Sequence, residues 1–374
     1  MKIGIDLTSL IHQRGVSQYT SNLVEALIDL KKDEFYGFGT SLRARKLLIG
    51  QAQSLGLKID HLAIGHLPIT LLEQFWRLNF RPVRGSLPKI EVFHSWDWLQ
   101  PPDKDLPLVS TIHDLAMLRF PESAHPAILA RHRRSWEILK KRQARIIAIS
   151  QATKRDIVEL LDIEPSQVKV IYEALPTQIV KQAANISEDK LLQIKNQLQL
   201  TKPYILAVGT REPRKNLERL ITAWQPLNKD FELIIAGAKG WDKSDQLSRT
   251  PGLRFIDQVK LDQLAVLYEE ASLLAYPSLY EGFGLPILEA FHFGTPVVTS
   301  NTSSMPEVAG NAAELINPLD VDSIRAGLTK VLGENQAEQQ QRLQKMIIRL
   351  HAFSWRQTAL ETRQVYQAAI EDFS

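Results

Sequence analysis

The segment PSLYEGFGLPILEAFHFGTPVVTS, residues 277 to 300, combines two acidic residues with a glycine-rich turn. Gly282 and Gly284 stand directly before a predicted helix, where backbone N–H groups and the helix dipole favour an anion such as a diphosphate. Glu281 begins the turn and Glu289 is expected in the first turn of the helix, so both carboxylates border one predicted pocket. There they could accept hydrogen bonds from the hydroxyls of a sugar and a ribose. On spacing alone, it is equally open that Glu281 is a solvated loop acid and that Glu289 complements the helix dipole.

Basic residues and histidines follow other predicted strands. Arg211, Arg214 and Lys215 come after the strand YILAVGT, and cations at a strand's carboxyl end could neutralise a diphosphate leaving group. His113 ends the apolar strand PLVSTIH, and His94 ends the strand EVFH. By residue type alone, a solvated surface role is more common for such cations, and a structural role is more common for such histidines. These residues are therefore candidates for anion binding and catalysis, with structural roles left open.

Short apolar runs alternate with longer amphipathic runs along the chain, which predicts parallel sheets covered by helices, the α/β class. Buried strands are predicted at residues 2–7, 107–113 and 144–150. The pattern restarts after the polar segment 176–203, and 374 residues are too many for one core. We therefore expect two Rossmann-like, doubly wound domains, residues 1–178 and 179–354, with a ligand cleft at the carboxyl ends of the strands.

Composition and charge exclude several function classes. With 45 Lys and Arg against 42 Asp and Glu, the net charge of +3 gives no global field that would attract nucleic acid. Cysteine is absent, which excludes disulfides, thiolate metal sites and cysteine nucleophiles. The first ten residues do not fit a signal peptide, and no apolar run approaches the ~18 residues that span a bilayer, so a cytoplasmic protein is expected. No G-x-G-x-x-G follows a strand, which argues against a nicotinamide-dependent dehydrogenase.

Three short patterns are interpreted as structural. They are the capping box of Ser304 and Glu307 and the pairs Asp103-x-Asp105 and Asp320-x-Asp322. The two aspartate pairs have the form of a metal-binding motif, but two-residue matches arise by chance and both pairs lie in proline-flanked loops. We interpret these pairs as surface turns and expect no metal site.

Eight segments in one order resemble the retaining glycosyltransferases of family 4, which have the GT-B architecture. They are GVSQY (15–19), VFHSWDWLQPP (92–102), TIHDLAMLRFPE (111–122), IAISQATKRDI (147–157), VGTREPRKNLERL (208–220), IIAGAKGW (234–241), the Glu281-x7-Glu289 segment and SSMPEVAGNAA (303–313). The resemblance implies two facing Rossmann-like domains and a C-terminal helix, 355–374, that returns to the first domain. It also implies transfer of a hexose from a GDP- or UDP-linked sugar to an acceptor hydroxyl with retention, without a protein nucleophile and without a further cofactor.

The resemblance implies roles for individual residues. In the second domain, Glu289 would bind the ribose hydroxyls, Glu281 the donor sugar and Lys215 the diphosphate, while the first domain would bind the acceptor. His113 would lie at the reaction centre, and His94 matches a second family histidine. The implied catalytic set is His113, Glu281 and Lys215. The implied donor-binding set is Gly15, Arg211, Arg214, Lys215, Gly282, Phe283, Gly284, Leu285 and Glu289.

Two positions depart from the family pattern. Thr210 stands where many relatives carry an arginine, so the phosphate-binding arginine is either Arg211 or Arg214. Ser17 stands where many relatives carry a second glycine after Gly15, in the loop that follows the first strand. The contact of that loop with the donor is therefore left open.

The implied acceptor is a saccharide or a lipid-linked saccharide of cell-surface polysaccharide or glycolipid assembly. Residues 71–84 and 131–145 join aromatic and basic side chains, which suggests peripheral contact between the first domain and an anionic membrane. Each segment is also typical of an ordinary helix that packs its apolar stripe inward. Two other functions stay open: a nucleoside-diphosphate-sugar epimerase or hydrolase of the same fold, which needs no acceptor, and a nucleotide-sugar-binding protein without turnover.

Overall fold

A computed structural model describes residues 1–12, 15–121, 125–242, 244 and 249–373. Its contacts divide the chain into two compact units, Met1–Glu173 with Ser354–Ser374, and Ala174–Phe353. The division precedes residue 178, the boundary expected from the sequence, because the helix that begins at Thr177 packs within the second unit. Glu122, which ends one of the matched segments, lies outside the described residues.

The first unit is built on seven parallel strands. They are β1 (Lys2–Asp6), β2 (Glu34–Thr40), β3 (Leu62–Gly65), β4 (Val92–Trp96), β5 (Leu108–Ile112), β6 (Arg145–Ala148) and β7 (Val168–Val170). Their order in the sheet is β3-β2-β1-β4-β5-β6-β7. The helices are α1 (Val16–Asp29), α2 (Arg45–Ser54), α3 (Ile69–Arg77), α4 (Val83–Ser86), α5 (Ala116–Arg119), α6 (Pro126–Lys141), α7 (Gln151–Leu161) and the C-terminal α16 (Trp355–Glu371). All residues of β4 and β5 are buried, as expected for parallel strands covered on both faces.

The second unit repeats this plan with six parallel strands. They are β8 (Tyr204–Val208), β9 (Glu232–Ala236), β10 (Leu253–Ile256), β11 (Leu273–Tyr276), β12 (Val297–Ser300) and β13 (Glu314–Ile316). The sheet order is β10-β9-β8-β11-β12-β13. The helices are α8 (Thr177–Ala184), α9 (Glu188–Gln197), α10 (Leu217–Trp224), α11 (Leu261–Glu269), α12 (Leu285–His292), α13 (Met305–Ala309), α14 (Val321–Leu332) and α15 (Gln336–Leu350).

Both sheets have the doubly wound order, which confirms the predicted fold class. The strand order reverses between β1 and β4 in the first unit and between β8 and β11 in the second. At such a switch point the loops after the two strands diverge to opposite faces, and the gap between them is where α/β sheets bind ligands. The loop after β8 carries Lys215 and the loop after β11 carries Glu281, so two of the predicted site residues border one switch point.

The C-terminal helix α16 belongs to the first unit, where it packs against α1. Thr358 Oγ1 donates a hydrogen bond of 2.7 Å to the carbonyl oxygen of Tyr172. Arg363 Nε lies 2.6 Å from Asp33 Oδ2. These polar contacts fix α16 along the first unit.

His94 is a core residue whose two ring nitrogens both have partners. Its Nδ1 lies 2.7 Å from the hydroxyl of Tyr366 on α16, and its Nε2 lies 2.9 Å from Thr111 Oγ1. Burial and, to a smaller extent, the neighbouring His113 together lower the pKa of His94 to about 3. These contacts give His94 a structural role, that of tying α16 to the sheet.

We expect the wild-type protein to lose stability relative to His94→Gln as the pH falls from 7 to 4. In the unfolded chain a histidine takes up a proton near pH 6.5, whereas folded His94 stays neutral, so the unfolded state binds more protons over this interval. The free energy of unfolding of the wild type should therefore fall, by on the order of 3 kcal/mol at pH 4, while glutamine keeps a donor and an acceptor and does not titrate. Urea unfolding curves at several pH values measure the difference. A parallel loss of stability in both proteins would contradict a buried neutral His94.

The apolar stripes that suggested membrane contact face inward. Leu72 and Trp76 of α3, and Trp136 and Leu139 of α6, are buried in the core of the first unit. Two arginines of α6 bind Glu73 of α3, so part of the basic charge is balanced within the protein. The membrane interpretation of these four side chains is wrong, because they complete the core.

The interpretation of Asp103 as part of a surface turn is also wrong. Its side chain is buried and accepts hydrogen bonds from the backbone N–H groups of Val83, at 2.8 Å, and Arg84, at 2.9 Å. These two residues begin α4, so Asp103 caps that helix from a distant loop. Asp320 lies on the surface, as expected, and its Oδ1 accepts from the backbone N–H of Asp322 at the start of α14.

Candidate active site

Three of the predicted site residues meet at the switch point of the second unit. Lys215 Nζ lies 2.6 Å from Glu281 Oε1 and 3.1 Å from the hydroxyl of Tyr276. Arg214 Nη1 lies 2.6 Å from Glu281 Oε2. Both oxygens of one buried carboxylate therefore bind a cation, and both cations come from the loop after β8. A site with this arrangement can bind an anion at the cations and hydroxyl groups at the carboxylate.

The loop after β8 owes its shape to an asparagine that the sequence analysis missed. Pro213–Lys215 form a short 3-10 turn, and Asn216 then adopts a left-handed conformation with a φ of 61°. Its Nδ2 donates to the carbonyl oxygens of Pro277, at 3.0 Å, and Pro318, at 2.6 Å. Asparagine tolerates this conformation better than most residues, which was the available signal. Asn216 thereby holds the basic loop against the loop after β11.

Four charged groups lie together at the switch point of the second unit, and their formal charges sum to zero. They are Arg214, Lys215, Glu212 and Glu281. Burial by itself raises the pKa of Glu281, but Lys215 and Arg214 outweigh that effect and lower it to about 2. Burial lowers the pKa of Lys215, and the carboxylate of Glu281 opposes this shift. Arg214 Nε also binds Glu212, at 2.8 Å. Two cations and two carboxylates are thus placed together, and Glu281 is ionised at neutral pH.

Arg211 binds a different carboxylate from Arg214. Its Nη2 lies 2.6 Å from Asp257 Oδ1, and its guanidinium carbon lies 4.6 Å from the ring centroid of Phe255. Its backbone is fixed as well, because its carbonyl oxygen accepts from the N–H of Trp241 at 2.9 Å. A Cβ at Gly240 would overlap that carbonyl oxygen, so glycine is required there. The structure therefore groups Arg214, not Arg211, with Lys215.

Glu289 lies in the second turn of α12, not in the first turn as the sequence predicted, because the helix begins at Leu285. The hydroxyl of Tyr268 donates a hydrogen bond of 2.6 Å to Glu289 Oε2. Burial raises the pKa of Glu289, and the bond from Tyr268 opposes this shift. Tyr268 packs face to face with Phe293, with ring centroids 5.7 Å apart. Tyr268 was missed because it lies on α11, and no local pattern connects it to Glu289.

Ser304, which the sequence analysis interpreted as part of a capping box, instead holds the turn before α12. Ser304 Oγ lies 2.6 Å from the carbonyl oxygen of Phe283 and 2.9 Å from that of Glu281. It makes no capping bond to α13, so the capping box predicted for it is wrong. The ring of Phe283, a predicted donor-binding residue, is buried and packs edge-on against Phe353. Gly284 ends the turn with a φ of 113°, which a side chain would strain.

Two of the predicted site residues, Gly15 and His113, belong to the first unit. His113 follows β5, and its Nε2 is buried without a hydrogen-bond partner among the described residues. Burial lowers the pKa of His113 to about 4, with Asp97 opposing the shift, so its imidazole is neutral at pH 7. The ring of Tyr19 packs edge-on against the imidazole of His113, with the ring centroids 4.8 Å apart. An unpartnered, buried ring nitrogen of this kind can bind a hydroxyl group.

Gly15 begins α1 with a φ of 47°, a conformation that favours glycine. A Cβ at Gly15 would meet no atom within 4 Å. Glycine is therefore favoured by the backbone conformation and not by a lack of space.

Over the described ranges, no group of three His, Cys, Asp or Glu side chains is placed to hold a metal ion. The helices in the same ranges include none with the length and apolar character needed to cross a bilayer.

Comparison with known proteins places the chain in a family. Residues 14–178 match the family described as Glycosyltransferase Family 4, and residues 189–348 match Glycosyl transferases group 1. O-antigen chain mannosyltransferase B of Escherichia coli is 30% identical over 271 residues, which cover 69% of this chain and 70% of that protein. Serotype-specific mannosyltransferase WbdA, also of Escherichia coli, is 30% identical over 226 residues. That match covers 57% of this chain and 27% of WbdA, so this chain spans only part of that longer protein.

The fold has solved counterparts. The structure of Anabaena HepE, determined in complex with UDP and glucose, superimposes with a TM-score of 0.71 at 15% identity, covering 98% of this chain and all of that one. At this identity the likeness shows the fold alone, which is GT-B. Together with the matched regions and the mannosyltransferase relatives, it leads to one conclusion: this chain belongs to the family 4, group 1 glycosyltransferases.

Proposed function

We propose that this chain transfers a hexose, specifically mannose, from a GDP- or UDP-linked donor to an acceptor hydroxyl with retention of configuration, in the assembly of a cell-surface polysaccharide or glycolipid. The observation that carries the proposal is the convergence of Arg214 and Lys215 on Glu281 at the switch point of the second unit. The names of the two Escherichia coli relatives support mannose as the sugar and a polysaccharide as the product.

In this proposal Arg214 and Lys215 bind the diphosphate of the donor. In the structure both cations bind the carboxylate of Glu281, which marks where the anionic oxygens of a donor would lie. A diphosphate offers more charge and more acceptor oxygens than one carboxylate, and it would replace Glu281 as the partner of both cations. Glu281 would then accept hydrogen bonds from the donor sugar. Backbone N–H groups at Gly282 and Gly284, before α12, would add donors for the same anion.

Glu289 is proposed to bind the ribose of the donor nucleotide. Its Oε2 accepts from Tyr268, while its Oε1 has no hydrogen-bond partner within the part of the chain that the structure describes. We expect Glu289→Gln to weaken the affinity for GDP and UDP about ten- to a hundredfold, because a charge-assisted bond pair is worth ~1.5–3 kcal/mol. Isothermal titration calorimetry measures this, with Glu269→Gln, an exposed residue of the same unit, as the control. Unchanged affinity in a folded Glu289→Gln protein would remove the ribose assignment.

His113 is proposed as the first unit's contribution to the reaction centre. Its neutral imidazole and unpartnered Nε2 suit a hydrogen bond to a sugar hydroxyl. A histidine with a pKa of about 4 is not a general base that titrates near neutral pH. This is compatible with a retaining displacement in which the leaving phosphate takes the acceptor proton.

Acceptor dependence separates this proposal from the other two functions. A transferase releases GDP or UDP at a substantial rate only when an acceptor is present, whereas an epimerase or hydrolase consumes the donor alone. A binding protein binds the nucleotide without turnover. The experiment measures nucleotide release from GDP-mannose and from UDP-hexoses with and without mannose-terminated oligosaccharides, and NMR of the product gives its anomeric configuration. Equal donor consumption with and without an acceptor would contradict the proposal.

We also propose peripheral contact with an anionic membrane through the turn that follows α3. Leu78 is 77% exposed and Phe80 is 55% exposed, and Arg77 and Arg81 flank them. Each basic residue near anionic headgroups contributes ~1 kcal/mol, and salt screens this attraction over a Debye length of ~8 Å at physiological strength. This turn, unlike the buried stripes of α3 and α6, exposes apolar side chains for such contact.

At low salt we expect the protein to sediment with anionic liposomes, and less so at physiological salt or with Phe80→Ser, because both changes weaken a charged and apolar contact. Phe373→Ser, which changes an exposed phenylalanine elsewhere in the first unit, should have no effect. Equal recovery in the supernatant with anionic and neutral liposomes at low salt would contradict the membrane proposal.

A further inference from the structure

The first unit has a groove that none of the candidate active-site residues lines. It has a volume of about 400 Å³ and lies at the carboxyl ends of β2 and β3. Uncharged side chains form most of its wall, among them Thr40, Ile64, Leu67 and Leu72. Because the sheet is parallel, this is also the edge at which β5 ends and His113 follows. The groove therefore opens at the ligand-binding edge of the sheet.

Two arginines give the groove its charge. Arg45 and Arg81 line it, and none of the described lining residues is acidic. Arg45 Nε donates to the carbonyl oxygen of Ile64 at 2.8 Å, and the guanidinium of Arg81 lies 5.5 Å from the ring centroid of Phe75. Among the described residues, neither arginine forms an ion pair, whereas other arginines of this unit bind aspartate or glutamate. Two guanidinium groups without carboxylate partners favour a phosphate.

Exposed apolar side chains accompany Arg81. The ring of Phe80, which is 55% exposed, packs edge-on against Phe75, the ring that the guanidinium of Arg81 covers. Leu78 is 77% exposed in the same turn. Large apolar side chains that stay in water beside cations mark a surface for a ligand with both characters. A purely polar sugar would leave them uncovered, and a purely apolar chain would leave both arginines unpaired.

We propose that this groove binds the phosphate head and the adjoining hydrocarbon of a lipid-phosphate-linked saccharide acceptor, with Arg45 and Arg81 on the phosphate. The inference rests on the proposed transferase function and names its acceptor class. Strand spacing supports the geometry: β2 and β3 lie three and four strands from β5, which is ~14–19 Å at ~4.8 Å per strand. A saccharide joined to the phosphate can therefore extend along the carboxyl edge towards His113.

The test uses decyl phosphate, below its micelle concentration, as a probe for the wild-type protein. We expect Arg45→Gln and Arg81→Gln each to weaken its binding by roughly fivefold or more, and the double variant by more than roughly twentyfold. Arg43→Gln is the matched control, since Arg43 is exposed and does not line the groove. Arg45→Lys, which keeps the charge, should bind better than Arg45→Gln. Inorganic phosphate and decyl glucoside should each bind at least roughly tenfold more weakly than decyl phosphate.

Three results would overturn the inference. The first is an unchanged affinity for decyl phosphate in the double variant. The second is that inorganic phosphate binds as tightly as decyl phosphate, and the third is that decyl glucoside binds as tightly as decyl phosphate. Thermal unfolding of each variant verifies that the protein is folded, and Arg81→Gln alone suffices if Arg45 variants unfold, because the Arg81 side chain is exposed. GDP and UDP binding, measured on the same samples, should be the same in all variants. Failure of the wild type to bind either nucleotide would instead count against the proposed function.

Discussion

Replacing Lys215 with methionine is expected to lower kcat about 10²- to 10³-fold in a protein that still folds. The amine of Lys215 is buried and lies 2.6 Å from Glu281 Oε1, and methionine has a similar length without the charge. A fixed cation beside a leaving diphosphate acts most strongly as charge develops in the transition state, where one such group is worth ~2.7–4 kcal/mol. Because Arg214 also binds Glu281, the carboxylate keeps a cationic partner in the variant.

Steady-state kinetics with varied donor concentration separate kcat from KM for this variant. Lys229→Met, which changes an exposed cation of the same unit, is the control. Arg214→Met should lower kcat at least roughly tenfold, since Arg214 shares the carboxylate of Glu281 with Lys215. Arg211→Met should reduce thermal stability rather than kcat, because Arg211 binds Asp257. A raised KM with an unchanged kcat in Lys215→Met would mean that the cation binds ground state and transition state alike.

The architecture could be predicted because burial imposes a strong pattern on parallel strands. Segments such as KIGIDL and PLVSTIH are mostly apolar, and a titratable residue, Asp6 or His113, comes where each strand ends, at the ligand-binding edge. Arg214, Lys215 and Glu281 were found for this reason, since each follows a strand at the switch point. Sequence pattern thus locates the edge of a sheet at which a site can form.

Pattern does not determine which distant side chain a residue meets. Arg211 and Arg214 follow the same strand, and only the fold brings the first to Asp257 and the second to Glu281, 46 and 67 positions away. The hydrogen bond from Tyr268 to Glu289 joins two helices in the same way. Such partners depend on the packing of separate elements, and local spacing carries no information about it.

Local motifs predicted the wrong hydrogen-bond partner where a distant group binds the same side-chain atom. Ser304 has the spacing of a capping box, but its hydroxyl bonds the carbonyl groups of Glu281 and Phe283, which the glycine turn leaves without helical partners. Asp103 resembles half of a surface pair, but the start of α4 offers it two backbone N–H groups. An amphipathic stripe shows that a helix has an apolar face, and in α6 the protein core covers that face.

Glu281→Gln is expected to lower kcat by about 10²-fold without weakening the binding of GDP or UDP. The variant keeps the size of the side chain and removes the negative charge that Lys215 and Arg214 share. A diphosphate then has no carboxylate to displace, so nucleotide affinity should be retained or increased. Turnover should fall, because an amide oxygen is a weaker acceptor for the sugar hydroxyls than a carboxylate.

This pattern distinguishes Glu281 from Glu289, whose loss should weaken nucleotide binding. Calorimetry with GDP and UDP and steady-state kinetics with the intact donor give the two quantities. Glu281 is ionised throughout the working range, because its pKa is about 2, so the effect should not vary between pH 6 and 8. If Glu281→Gln weakened nucleotide affinity tenfold or more while the protein stayed folded, the carboxylate would be a structural anchor for the two cations. Retained affinity with reduced kcat would support the proposed contact of Glu281 with the transferred sugar, which Glu281 could make once the diphosphate binds Lys215 and Arg214.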